Sequence, residues 1–148
     1  MMRFFLMIIL TTLTVASIDA HSSKVDIISL EISGYLISVE VAHTPLSRSR
    51  GLMYRKELGV NAGMLFTFPE PGYHSMWMKD TYIPLSVAFI NERGTILNIA
   101  DMQAQTRTAH TSSGMAKYAL EMNMGWFSAR KIRAGMKVLG LKKAPAAR

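Results

Sequence analysis

Punctuation limits this fold more than any other sequence feature. From Lys24 to Leu141 the chain is cut into short β-forming runs, each closed by turn residues. Lys24–Ile32 and Tyr35–His43 flank Ser33-Gly34, a hairpin signal. Within the second run Tyr35, Ile37, Val39 and Val41 share one face and Ser38 and Glu40 the other, the alternation of a half-buried strand. Thr44-Pro45 supplies an N-cap and a first helical residue, which predicts a short helix to about Met53. Gly63–Phe68 reads as a strand closed by the turn Pro69–Gly72, and Tyr73–Lys79 as another strand. Leu85–Ile90 is apolar on both faces and therefore central. After the turn Asn91–Gly94, Thr95–Asp101 returns as a strand, residues 103–114 form a polar loop, and Lys117–Asn123 is a late strand. A short helix or turn at Trp126–Lys131 and a closing run Met136–Leu141 complete the chain. This pattern predicts a mostly-β fold: a compact single-domain β-sandwich or partly closed barrel with one or two short helices.

The first twenty residues have a different logic. Arg3 precedes the apolar run Phe4–Leu10, and the small residues Ala16, Ser17 and Ala20 follow, which is the layout of a secretory signal peptide. The expectation is cleavage near Ala20, leaving residues 21–148 as one domain in the periplasm or secreted. The chain of 148 residues has no cysteine, so disulfides, a zinc–thiolate centre and a cysteine nucleophile are excluded and packing alone must stabilise it. Its net charge of +7 is concentrated in two clusters, Arg48–Lys56 and Arg130–Lys143, with no interleaved aromatic stripe. That basicity predicts loose attraction to anionic membrane surfaces and no nucleic-acid binding, and the expected state is a monomer.

Residues with chemical potential concentrate in His74–Thr81. On a strand His74, Met76 and Met78 would share one face, a set of soft ligands that suits Cu(I), although methionine is also a core filler. Trp77, Lys79 and Thr81 would share the other. If Met76 and Met78 join Leu120 and Met122 in the core, Lys79 and Glu121 fall on the same opposing side. Glu121 paired with Lys79 or Arg48 over the Trp77 indole would then make a polar nook with an aromatic floor. The four histidines show no H-E-x-x-H spacing, and no G-x-S-x-G elbow or Gly-rich phosphate loop is present. A carboxylate pair of Glu121 and Asp101 would be the route to a hydrolase.

The runs Arg48-Ser-Arg-Gly51-Leu52-Met53-Tyr-Arg55, Gly63-Met64-Leu65-Phe66, Trp77-Met78-Lys79-Asp80-Thr81-Tyr-Ile-Pro84-Leu85, Phe89-Ile90 and Leu120-Glu121-Met-Asn123-x-Gly125, in that order, resemble the domain of unknown function 192 family. The resemblance spans about Val39 to Val138. It implies a compact mostly-β fold, frequent export in bacteria and no established activity. The chain departs from the family pattern at Asp80, usually Asn, at Ser86, usually Asp, and at Met136, where Asp is usual. The charged and polar members of the matching positions, Arg48, Arg55, Trp77, Lys79, Thr81 and Glu121, are the candidate ligand-binding residues. No catalytic residue, metal ligand or cofactor is assigned. The leading expectation is an exported, non-catalytic domain that binds a small polar or anionic ligand or an envelope partner. An envelope hydrolase using Glu121 as acid or base, or a Cu(I) protein using His74, Met76 and Met78, are the alternatives.

Overall fold

Ser33-Gly34 turns the chain back on itself as its residues predict. In the computed structural model, which describes residues 25–148, both adopt left-handed backbone (φ 50° and 82°), the requirement of a type I′ turn. The expected leader lies outside the described residues. The turn joins strand β1 (Ile27–Ile32) to β2 (Tyr35–Ala42) in register from Ile32 opposite Tyr35 to Ile27 opposite Glu40. Ile37, Val39 and Val41 are buried, as their alternation requires. Helix α1 (Pro45–Arg50) then begins at Thr44, whose hydroxyl accepts a hydrogen bond from the Ser47 amide while the Ser47 hydroxyl accepts one from the Thr44 amide.

The helix and the segment after it cross over the sheet so that β3 (Ala62–Gly72) runs parallel to β2. The remaining strands are β4 (Ser75–Met76), β5 (Leu85–Ile90), β6 (Ile96–Met102), β7 (His110–Thr111), β8 (Ala116–Asn123) and β9 (Val138–Leu139). A second helix α2 (Trp126–Ala129) follows β8, and a 3₁₀ turn spans Leu141–Lys143. Seven strands form one sheet in the order β6-β5-β8-β3-β2-β1-β9, and β4 and β7 pair apart from it. β5 has a partner on each side, and all its residues are buried, which accounts for its unbroken apolar run. The sheet curls until its two ends meet: Thr95 bridges to Lys137, and the Ile96 and Val138 amides donate to the Met136 and Gly94 carbonyls. The expected partly closed barrel is therefore the fold observed.

Because strand side chains alternate between faces, the curled sheet carries two apolar layers. The barrel interior holds Ile37, Val39, Leu65, Ala88, Ile90, Leu120 and Met122, and Trp126 and Phe127 of α2 join it. The outer face of the sheet holds Ala42, Met64, Phe66, Leu85, Val87, Phe89, Met102 and Ala119, packed under Leu52, Met78 and Ile83. A cation–aromatic stack secures α2. The Arg130 guanidinium lies 4.3 Å from the Trp126 ring centroid and 5.3 Å from that of Tyr35, and it donates to the Trp126 carbonyl. The Trp126 indole N–H donates to Asn61 Oδ1. Arg130→Ala is expected to lower stability by about 1–2 kcal/mol in urea denaturation, with Arg130→Lys recovering only part of it, because ammonium cannot reproduce the flat stack. Equal stability of the alanine variant and the parent would show that the stack contributes nothing.

Two local expectations fail. Tyr73–Lys79 is not a strand: only Ser75–Met76 pairs, with His110–Thr111. Beyond it the Met78 amide donates to Thr106, the Thr81 amide to Met78, and Asp80 takes a left-handed φ of 52°, so local turns replace the ladder. Pro69–Gly72 does not end the preceding strand either. It stays in β3 as an irregularity, the register against β8 shifting between Thr67 and Gly72, where missing proline donors are tolerated.

Candidate functional site

The geometry of the site starts from one row of side chains across the outer face. Register places Glu40 beside Met64, Met64 beside Glu121 and Glu121 beside Val87, on β2, β3, β8 and β5 in turn. Strands lie about 4.8 Å apart, so Glu40 and Glu121 are two strands apart with one methionine between them. Above Glu40 and Met64, α1 and the segment Gly51–Arg55 enclose a cavity of about 490 Å³. Its lining includes the apolar residues Val25, Ala42, Leu46, Met53 and Met64 and the charged or titratable residues Asp26, Glu40, His43, Arg50 and Arg55.

Two complementary pairs organise those walls. Arg55 grips Glu40 with both guanidinium nitrogens, each 2.6 Å from a carboxylate oxygen, and this hydrogen bonding raises the Arg55 pKa further above its ordinary value. His43 Nε2 lies 3.1 Å from Asp26 Oδ2. The cavity edge also carries strained backbone. Tyr54 has φ 64°, rare for a bulky residue, and its amide donates to the carbonyl of Asp80, also left-handed at φ 52°. The Tyr54 hydroxyl also faces Asp80, whose negative charge raises its pKa, and the ring meets Tyr82 edge-on with centroids 6.2 Å apart.

The predicted ligand residues separate. Arg55 is in the cavity wall. Arg48 does not pair with Glu121; its guanidinium donates to the carbonyls of His43, Thr67 and Arg148, tying the residue after β2 to β3 and to Arg148. Trp77 is 49% exposed, with Lys79 Nζ 5.9 Å from its ring centroid. Thr81 is buried, and its hydroxyl closes the local turn by donating to the Lys79 carbonyl. Glu121 is 3% exposed between Met64 and Val87, and among the described residues its carboxyl has no hydrogen-bond or ion-pair partner. Burial pushes its pKa up to about 8.

The expected nook of Glu121 with Lys79 or Arg48 therefore does not form. Alternation along β8 predicts one core face and one solvent-facing face, whereas both faces are covered. Leu120 and Met122 enter the barrel, and Met78 lies in the outer layer with the Glu121 row. The Glu121–Asp101 pair fails for the same reason: Asp101 is opposite Ser86, whose hydroxyl donates to its carboxylate, on the other face of the sheet from Glu121. The straight strand assumed for the Cu(I) set does not exist. His74 stacks on Phe68 with centroids 3.7 Å apart and its Nε2 is within 3.1 Å of the Glu70 carbonyl, while Met78 is fully buried in the outer layer.

Sequence reasoning missed Asp26, His43, Met53, Met64 and Tyr54 as cavity residues, and Glu40 as the partner of Arg55. Glu40 stood out as a charge on the polar face of β2, but only strand register brings it to Arg55.

The chain matches the DUF192 family, described as an uncharacterised conserved region, over residues 28–140. It belongs to that family. Two solved structures share the fold of this DUF192 domain. One is a candidate transcription regulator from Sinorhizobium meliloti 1021, 34% identical, with a TM-score of 0.72 over 76% of this chain and 90% of that one. The other is a protein of unknown function from Novosphingobium aromaticivorans, 30% identical, with a TM-score of 0.77 over 81% of this chain and 89% of that one. No curated protein matches the chain.

Proposed function

We propose that this DUF192 domain is a non-catalytic binding domain, and that the cavity between β2, α1 and Gly51–Arg55 takes a small polar or anionic ligand. The observation that carries the reading is the cavity itself: about 490 Å³, an apolar floor and a few convergent charged groups, the make-up of a small-molecule site. Arg50 stands in its lining with no ion-pair partner among the described residues, and Arg55 is held in place by Glu40. An anionic group on the ligand would meet Arg50, and its apolar part would rest on Met53 and Met64.

Binding is favoured over catalysis by how the polar groups are engaged. Ser47 shares its hydroxyl with Thr44 in the helix cap. His43 holds Nε2 against Asp26, and its Nδ1 is buried away from solvent without a partner. The leader pattern supports export, which would place the encounter in the periplasm or outside the cell, where the positive charge adds loose attraction to anionic membrane surfaces.

Amide chemical-shift perturbation with a panel of small carboxylates, phosphate esters and neutral polar compounds tests the proposal. The expected result is at least one anionic compound shifting Val41, His43, Met53 and Arg55. Arg50→Glu should then weaken it at least tenfold, the order of a lost charge-assisted hydrogen bond. Shifts confined to other surfaces, or binding indifferent to Arg50→Glu, would overturn the assignment.

A further inference from the structure

The cover over Glu121 is built differently from the sheet beneath it. Leu52, Met78 and Ile83 seal the outer face, yet the segments 51–58 and 77–84 that carry them add no strand to the seven-stranded sheet. The two segments are joined by the Tyr54–Asp80 main-chain hydrogen bond, where both residues are left-handed, a conformation that is costly for a bulky residue such as Tyr54. One end is pinned, because Asn123 donates from β8 to the carbonyls of Leu58 and Gly59. The other segment leans on the polar loop through the Met78–Thr106 and Gln105–Thr81 hydrogen bonds.

Under this cover Glu121 is isolated. Its same-face neighbours are Ala62, Met64 and Phe66 on β3, Leu85, Val87 and Phe89 on β5, and Ala119 and Asn123 on its own strand, none of them charged. The charged residues of the cover and of α1 are Arg48, Arg50, Arg55, Lys56, Glu57, Lys79 and Asp80. None is within ion-pair distance of its carboxylate, and the nearest charge in its row, Glu40, is held by Arg55. At 3% exposure an ionised carboxylate there would have little water and, among the described residues, no counter-ion.

We propose that segments 51–58 and 77–84 are a lid over the outer face of the sheet and that ionisation of Glu121 opens it. Opening gives the carboxylate water. Since Gly51, Met53, Tyr54 and Arg55 are also cavity wall, the device would regulate the site proposed above. Its biological meaning rests on that reading, but the motion does not. Burial that holds the closed-state carboxyl near a pKa of about 8 sets the range in which the switch operates. Tyr54, raised above its ordinary value by Asp80, does not titrate there.

Amide hydrogen exchange on the protein without ligand, corrected for intrinsic rates, tests this. The opening equilibrium of amides 52–55 and 78–83 should rise up to about tenfold per pH unit between roughly pH 5 and 8 and level off above, because the open form ionises first. Amides of the β1–β2 hairpin should stay protected. Glu121→Gln, and independently Glu121→Met, should make the lid amides insensitive to pH. The inference is overturned if parent and variants share one pH profile, or if lid and hairpin amides lose protection together. Failure here would leave the ligand assignment standing, and failure of the ligand panel would leave the lid standing.

Discussion

Replacing Glu121 with Gln should raise the unfolding free energy by roughly 3 kcal/mol at about pH 7 and by almost nothing near pH 4. The sign follows from where the proton is held. Burial raises the folded-state pKa from 4.5 to about 8, while the unfolded chain keeps the ordinary value. Below pH 4.5 both states are protonated and the burial costs little. As pH rises, the unfolded state ionises first and gains stability at about 1.4 kcal/mol per unit, until the folded carboxyl titrates as well. Glutamine has the same shape without the charge, so its stability should not decline with pH through this mechanism. Lid opening caps the loss in the parent protein, since a native state with the lid open can ionise without unfolding. Urea midpoints from pH 4 to 8 decide the matter. A constant difference between parent and variant would mean that Glu121 is hydrated or paired in the native state.

The second large effect should come from the smallest change. Gly63→Ala adds one methyl group between β3 and β8, where its Cβ would fall far inside contact distance of the Glu121 carbonyl oxygen and the Met122 sulfur. The sulfur can move; the backbone oxygen belongs to the central strand pair and cannot. The expected loss is about 2–3 kcal/mol by thermal or urea unfolding, overriding the roughly 0.5–1 kcal/mol that alanine normally gains over glycine within a strand. Gly114→Ala is the control, because its nearest neighbours are Leu97 side-chain atoms at 3.5 Å and 3.6 Å, ordinary contact. A Gly63→Ala loss no larger than that of the control would show that the strands separate easily. The same pair of residues links the two predictions: Gly63 lets β8 come close, and that closeness seats Glu121 under its cover.

Much of the fold was readable because its causes are local. A two-residue turn needs left-handed backbone, and Ser33-Gly34 supplies it; a helix start needs a side-chain acceptor, and Thr44 supplies it. The apolar run Leu85–Ile90 could only lie between two strands. Tyr73–Lys79 misled for a related reason, since β-forming residue types are equally at home in an irregular cover that fills a core. Met78 does that work from a turn.

The candidate site was readable only in part. Arg55 was found, but its partner Glu40 and the cavity neighbours Asp26 and His43 were not, because they meet through register between β1, β2 and the crossover segment. Residue order alone established a mostly-β chain without disulfides, where its hairpin turns and where its first helix begins, since each of these depends on neighbours a few residues apart. The curl of the sheet and the cover on its outer face decided the rest: that neither side of β8 meets water, and so that Glu121 is a buried acid and not a surface charge. Parity assigns a side chain to a face, but only the packing of distant segments determines what lies against that face.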